Sequence, residues 1–543
     1  MKQLTRRSLF RNSMNSAAAL VGGLAGRDRA LAASTEPAVA ETQYGKVRGR
    51  AVQGVHVFRG IPYGGPTEGA GRFLPPAKPR EWAGIRDTTE TGPRCVQGTG
   101  NIFLHPLIGE YFAGGRKDRT ELAQQQESEN CLGVDVLTPA LTGKRPVMVY
   151  IHGGGFTGGS ALLTLFAEAF PREQDVVLVG ITHRINVFGY LYLGGLSEKY
   201  AVGNPGQLDL IAALEWLRDN IANFGGDPNN ITIFGESGGG AKICTLMAMP
   251  AAKGLYHKAI VESGSLLRVN TTEAATATAE ALLAQFELKK THVDELQKIP
   301  ASELFTQASK TAAGAGQSFM KLSPVVDGRS IPRQTWDPEA PEISANIPMI
   351  IGNCKDESTL FSLRDEALFS LDLAGLRDRV VKAGIPDDEA DKLIAVYRRD
   401  HPKDTPTDIY FRISTDRGAR RNAVKQAELK IAQGKADVYL YYFAWDTPCA
   451  DGKIKAFHTA ELPLALRLVR YPESDQLSKR ISGAWAAFAR HGNPNQDGLP
   501  KWPAYSTSQR ATMIFDAANS AVVNDPDHEE RLLLQERPSG GLL

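Results

Sequence analysis

The stretch Phe234-Gly235-Glu236-Ser237-Gly238-Gly239-Gly240 constrains this 543-residue chain more than any other. It follows the β-rich run Asn230–Phe234 and precedes Ala241–Met249, an apolar segment that continues only as a buried helix. A strand, then Gly-x-Ser-x-Gly, then a helix is the arrangement of a nucleophile elbow. The turn is so tight that a Cβ two residues before or after the serine would strike the strand or the helix, hence Gly235 and Gly239. Glycines opening a helix cost about 0.5–1 kcal/mol each against alanine, so the sequence gives up local stability for backbone clearance. The elbow lifts the Ser237 hydroxyl out at the carboxyl end of a sheet. There the N–H of the next residue and the helix N-terminus can stabilise an anion.

The rest of the chain supplies such a sheet. Pro146–Ile151, Asp175–Thr182, Ile347–Asn353 and Asp437–Trp445 are apolar runs bounded by turn residues, the pattern of strands buried on both faces. Gln207–Phe224 carries apolar residues at helical spacing and is stopped by Gly225-Gly226-Asp227-Pro228. Residues 355–432 read as mostly helical. Strands alternating with helices predict an α/β chain with a mostly parallel central sheet and helices on both faces. With no repeat and no low-complexity linker, residues 33–543 are expected to form one large doubly wound domain.

Charge narrows the partners. Of 62 Lys and Arg residues, six fall within the first 32 positions together with one of the 61 acids, which leaves 56 basic against 60 acidic residues beyond them. A slightly acidic body lacks the basic footprint of a nucleic-acid binder. The basic start instead pairs Arg6-Arg7 with the mildly apolar stretch Ser16–Gly26 and then Ala30-Leu31-Ala32. These features predict a twin-arginine type export signal over residues 1–32, a mature chain beginning near Ala33, and a periplasmic or secreted product. No run of 18 apolar residues exists to span a bilayer.

Serine is a poor nucleophile without a base, and the oxyanion formed by its attack needs preorganised donors. Tyr150-Ile151-His152-Gly153-Gly154-Gly155-Phe156 follows a buried strand and is the HGGG-type partner of the elbow. Gly154, Gly155 and Gly238 would supply the N–H donors. The acid and the base are less restricted by pattern: Asp356 adjoins Glu357, and His401, His458, His491 and His528 all lie downstream of Ser237. His152 reads as a brace for the glycine loop rather than a base.

Across nearly its whole length beyond the leader, the chain resembles the type-B carboxylesterases of the α/β-hydrolase fold, relatives of the cholinesterases. The resemblance rests on "FRGIPYG", "RFLPP", "HGGGF", the block "GNPGQLDLIAALEWLRDNIANFGGDPNNITIFGESGGG", "KGLYHKAIVESGS", "GNCKDEST", "AFHTAELP" and "FARHGNPN". It implies a Ser237–Glu357–His458 triad, an oxyanion hole at Gly154, Gly155 and Gly238, supporting roles for Glu236 and Ser263, and hydrolysis of a small carboxylic ester. No metal or other cofactor is required for that chemistry. An amidase or lipase would use the same constellation; a non-catalytic binding relative would typically lack a triad member.

Two expectations concern the segment between Cys95 and Cys131. In an exported chain these cysteines are expected to form a disulfide, which for a loop of roughly 36 residues would stabilise by about 3–4 kcal/mol. By resemblance, the loop would lie over the site entrance, and Phe103, Tyr111 and Phe112 hint at a bulky or apolar ester. Cys244, in an apolar run, reads as a small buried hydrophobe.

Overall fold

The computed structural model describes residues 37–98, 106–114, 125–313 and 321–535. The export-signal segment and Phe103 lie outside the described residues.

Among the described residues the chain forms fourteen strands. In chain order they are β1 (Val39–Thr42), β2 (Gly45–Arg48), β3 (Arg50–Val52), β4 (Val55–Pro62), β5 (Ile85–Asp87), β6 (Gly133–Thr138) and β7 (Arg145–Ile151). There follow β8 (Val177–Thr182), β9 (Gly226–Glu236), β10 (Lys258–Glu262), β11 (Met349–Cys354), β12 (Val438–Phe443), β13 (Ala511–Phe515) and β14 (Ala521–Asn524). Strands β1, β2 and β5 make a small separate sheet, and the other 11 form one sheet in the order β14-β13-β12-β11-β10-β9-β7-β8-β6-β4-β3. From β8 across to β13 every neighbouring pair is parallel, and the antiparallel pairs lie toward the two edges. β8, β11 and β12 are buried along their whole length, as their uninterrupted apolar sequences require. The mostly parallel sheet expected from the alternation is therefore present.

The strand order places the site. After β7 the chain lays β8 on one side, then returns to place β9 on the other and proceeds through β10 to β13 in that direction. The carboxyl ends of β7 and β9 thus flank a switch point, the crevice where open α/β sheets bind ligands. Ser237 leaves the end of β9, and the glycine loop leaves the end of β7.

Strand β9 is longer than its β-rich run suggests. Gly226 pairs with Arg145, the register then shifts, and Ile231 pairs with Val147, so Asp227–Asn230 form an irregularity within the strand. The Arg145 N–H donates to Gly225 O, which turns the residues that stop helix Pro205–Asn220 into the start of the next strand. On the other side of Ser237, helix Gly238–Leu246 is buried at every position. The clearance at the elbow is set mainly by the neighbouring strand. A Cβ on Gly235 would come within 2.5 Å of Ile151 O, and one on Gly239 within 2.1 Å of the same oxygen.

Two expectations about the 95–131 segment are corrected. Cys95 and Cys131 are free buried thiols in hydrogen-bond contact with one another, not a disulfide. The stem is closed without a covalent bond: Arg94 N–H donates to Gln126 O, Ser128 N–H donates to Arg94 O, and Arg94 pairs with Glu127 at 3.0 Å. Tyr111 and Phe112, on the short helix Pro106–Phe112, are buried and used in packing rather than presented to a ligand. Tyr111 stacks edge-on against Phe457 with centroids 5.3 Å apart, and its hydroxyl donates to Ala460 O at 2.6 Å. The insertion therefore braces the segment that carries His458. Cys244 is buried as expected, yet Gln426 Nε2 donates to its sulfur at 3.0 Å.

The clearance argument has a direct test. Gly239→Ala puts a methyl group against the backbone of β7, where nothing flexible can yield, and is expected to cost about 1–3 kcal/mol of stability. Chemical denaturation of the two proteins measures this effect, and an unchanged midpoint would contradict it.

Candidate active site

Ser237 sits at φ 56° and ψ −125°, a backbone conformation that a residue with a side chain adopts only when its surroundings enforce it. Enforcement comes from both sides of the residue. Its N–H donates to Glu262 O at the end of β10, and its carbonyl accepts from Ala241 N–H in the following helix. The result is a partly exposed serine between buried neighbours.

The glycine loop lies against the same helix start. A Cβ on Gly238 would fall 2.5 Å from the Gly155 nitrogen, so that position also requires glycine. Gly154 and Gly155 have φ of 82° and 59°, in the left-handed region. The loop carbonyls are held in turn. Lys242 Nζ donates to His152 O at 2.8 Å and to Gly155 O at 2.9 Å; His152 Nδ1–H donates to Gly153 O at 2.9 Å; Thr157 and Gly158 N–H donate to Gly154 O. A trans peptide points its N–H opposite to its C=O, so fixing these carbonyls fixes where the Gly154 and Gly155 N–H groups point. His152 is buried, and burial together with Lys242 holds its pKa well below the usual imidazole range. It acts as the brace expected of it.

His458 and Glu357 arrive from different strands. Glu357 follows β11, and His458 lies on the loop after β12. Their side chains meet through His458 Nδ1–H and Glu357 Oε2. The second oxygen of Glu357 accepts from Ser263 Oγ at 2.7 Å and from Cys354 N–H at 2.8 Å, while Glu357 N–H donates to Thr415 Oγ1 at 3.1 Å. The carboxylate is thus fixed by three partners on three segments, and Thr415 anchors the residue's backbone. Asp356, the alternative acid, faces elsewhere: its backbone bridges Phe457, and its carboxylate accepts from Ala456 N–H, so it tethers the loop that presents His458. Burial raises its pKa to about 6.

On the other edge of the imidazole, His458 Nε2 lies 3.1 Å from Glu236 Oε1, close enough for charge pairing but without hydrogen-bond alignment. The Ser237 hydroxyl makes no hydrogen bond among the described residues. Catalytic hydrogen bonds often tighten only when substrate is bound.

Burial dominates the electrostatics here. Glu236, Glu262, Glu357 and Glu461 are each about 1% exposed or less. Glu236 is pushed well above the usual carboxylate range by burial, then by Glu461, Glu357 and Glu262. Glu262, which accepts from Trp485 Nε1–H, rises to about 8 through burial and Glu461; Glu461, held by Cys354 Sγ and Tyr441 OH, rises as well. Of the other histidines, His401 faces Glu530 at 3.2 Å, His491 ends helix Asp475–His491, and His528 pairs with Asp525.

Several residues of the site escape a sequence reading. Lys242 and Thr415 carry no motif, Glu262 and Glu461 lie in the quoted blocks without a role assigned to them, and the roles of all four follow from which strands become neighbours. Phe361 does too: it is 49% exposed, and its ring centroid stands 5.2 Å from that of His458.

The sequence and fold can be placed among known proteins. The model of the Carboxylesterase family matches residues 36–532. The chain belongs to the carboxylesterase family. It is 35% identical over 507 residues to a para-nitrobenzyl esterase of Bacillus subtilis, an alignment that covers 91% of this chain and 97% of that protein. It is 32% identical to the pyrethroid hydrolase Ces2e of Rattus norvegicus, over 86% of this chain and 84% of that one. Carboxylesterase Est55 of Geobacillus stearothermophilus superimposes with a TM-score of 0.77 at 36% identity, covering 92% of this chain and all of that one. These neighbours share the α/β-hydrolase fold, and this carboxylesterase-family chain is a carboxylic ester hydrolase.

The buried carboxyls make stability depend on pH. Glu262 ordinarily titrates near 4.5 and is held at about 8 in the folded state, so the fold binds a proton that the unfolded chain releases. Stability therefore falls as pH rises from about 4.5 toward 8 and levels off above that window. Glu262→Gln, neutral at every pH, is expected to flatten that decline and to melt above the parent at about pH 8.5. Parallel melting curves from about pH 5 to 8.5 would contradict the assignment.

Proposed function

We propose that this carboxylesterase works through an acyl-enzyme on Ser237, with His458 as general base and acid and Glu357 as the group that orients it. The observation that carries this reading is the setting of His458. One ring nitrogen is locked by a carboxylate that is itself held by Ser263 and Cys354, with the residue's N–H on Thr415, and the other faces the elbow. Nδ1–H bonded to Glu357 leaves Nε2 as the basic atom, which is the tautomer a serine nucleophile needs. His458 Nε2 takes the Ser237 proton as Oγ attacks the ester carbonyl, and the carbonyl oxygen becomes an anion beside the N–H groups of Gly154, Gly155 and Gly238. The imidazolium then gives its proton to the departing alcohol. Water, activated by the same nitrogen, cleaves the acyl-serine and releases the acid. Glu236 beside Nε2 lowers the cost of the transient imidazolium to the extent that it is ionised.

The substrate is a small carboxylic ester with an apolar part. Phe361 supports this, since an exposed aromatic ring beside the base offers a face for an aryl or alkyl group. Residues 1–32, with Arg6-Arg7 before the apolar Ser16–Gly26, are read as an export signal ahead of a single catalytic domain. N-terminal sequencing of the processed protein is expected to start near Ala33.

Hydrolysis of a short-acyl chromogenic ester by the parent, Ser237→Ala and Glu357→Gln tests the mechanism. The serine variant is expected to lose activity by several orders of magnitude, and the glutamine variant about 10⁴-fold, because it stabilises the wrong tautomer. A Ser237→Ala protein with parental activity would end this reading. Phe361→Ala is expected to raise KM for a naphthyl ester about 10-fold while leaving KM for a methyl ester nearly unchanged. Equal effects on both would remove Phe361 from the substrate surface.

A further inference from the structure

Lys242 is an expensive residue in an unexpected place. Its side chain is fully buried, and it stands in the second turn of helix Gly238–Leu246, near the positive end of the helix dipole. Burial pushes its pKa down to about 7 against the opposing pull of Glu236, so its ammonium form depends on having its donors satisfied. Here they are satisfied by main-chain carbonyls of the glycine loop rather than by a carboxylate at contact distance: His152 O at 2.8 Å and Gly155 O at 2.9 Å. The Phe156 ring lies 5.8 Å from Nζ and covers it further.

These two carbonyls bracket the Gly154 and Gly155 N–H groups. The intervening carbonyls, Gly153 O and Gly154 O, are bonded within the loop itself, by His152 Nδ1–H and by the N–H groups of Thr157 and Gly158. Internal bonds shape the loop, but they do not fix it relative to Ser237. Lys242 does, because it belongs to the helix that Ser237 opens. One side chain therefore ties the proposed oxyanion donors to the nucleophile's own helix.

We propose that Lys242 is a positioning residue for ester hydrolysis, its ammonium clamping the carbonyls of His152 and Gly155 so that the Gly154 and Gly155 N–H groups stay aimed at the oxyanion. The proposal rests on the acyl-enzyme reading above. Removing the clamp weakens stabilisation of the tetrahedral species and leaves ground-state binding largely intact, so the loss appears in kcat rather than KM.

Three variants test it: Lys242→Met removes both donors and charge at similar length, Lys242→Gln keeps two N–H donors without the charge, and Ser237→Ala is the control. The readouts are kcat and KM for a short-acyl chromogenic ester, affinity for a trifluoromethyl ketone, whose adduct carries a tetrahedral oxyanion, and affinity for the product acid. Lys242→Met is expected to lose about 10²-fold in kcat and a similar factor in ketone affinity, with KM and product affinity within about 3-fold of the parent. Lys242→Gln is expected to recover at least about 10-fold of that loss. Parental kcat and ketone affinity in Lys242→Met would overturn the proposal, as would an effect confined to KM. If Lys242→Met fails to fold, Lys242→Leu, also without donors, is read by the same criteria. A Ser237→Ala protein that still hydrolyses the ester would remove the acyl-enzyme reading and the proposal with it. An inactive Ser237→Ala beside an unimpaired Lys242→Met overturns the proposal alone.

Discussion

The contact on which the site depends is one without side chains: Gly235 and Gly239 packed against the carbonyl of Ile151. It allows the end of β9 to turn sharply into a helix while lying beside the end of β7, and so brings two loops from a switch point within atomic reach of each other. Ser237 and the His152–Phe156 loop are neighbours because nothing stands between them. The cost is a helix that opens on three glycines and a serine at positive φ. It is offset by the buried packing of that helix and by main-chain bonds from Ser237 to Glu262 and Ala241.

Around this contact the protein concentrates groups that are unfavourable to bury. Four glutamates, a lysine and an imidazole share a small volume, and the carboxyl pKa values that rise do so chiefly through lost hydration. Glu357 differs from the others in being saturated with donors from Ser263, Cys354 and His458. One carboxylate is thereby set apart from three similar residues in the same region. The distinction comes from donors supplied by β10 and β11 and the loop after β12, not from local sequence.

Much of this was legible in the sequence, and the boundary is physical. Strand–turn–helix patterns are local, so the elbow, the glycine loop and the buried parallel strands could be read directly, and the family resemblance selected Glu357 and His458 from among several acids and histidines. What could not be read depends on which strands become neighbours. Lys242 is one polar residue in an apolar segment, with no partner legible until β7 is set beside its helix, and Asp356 is indistinguishable from Glu357 by pattern until the loop after β12 is seen bonded to it. The cysteines misled for a related reason. Spacing across a loop suggests a covalent staple, whereas here the stem is already held by paired backbone around Arg94 and the thiols remain free. Tyr111 and Phe112 hint at a ligand because the resemblance puts their loop over the site entrance, yet they pack under the His458 loop.

The most direct test of the account is intact-mass and peptide analysis after rapid mixing with an ester whose acyl group is released slowly, such as an aryl carbamate. The account predicts one equivalent of leaving group released in a burst and one acyl mass added, located on the peptide containing Ser237. Turnover with no covalent adduct, or an adduct on another residue, would contradict it.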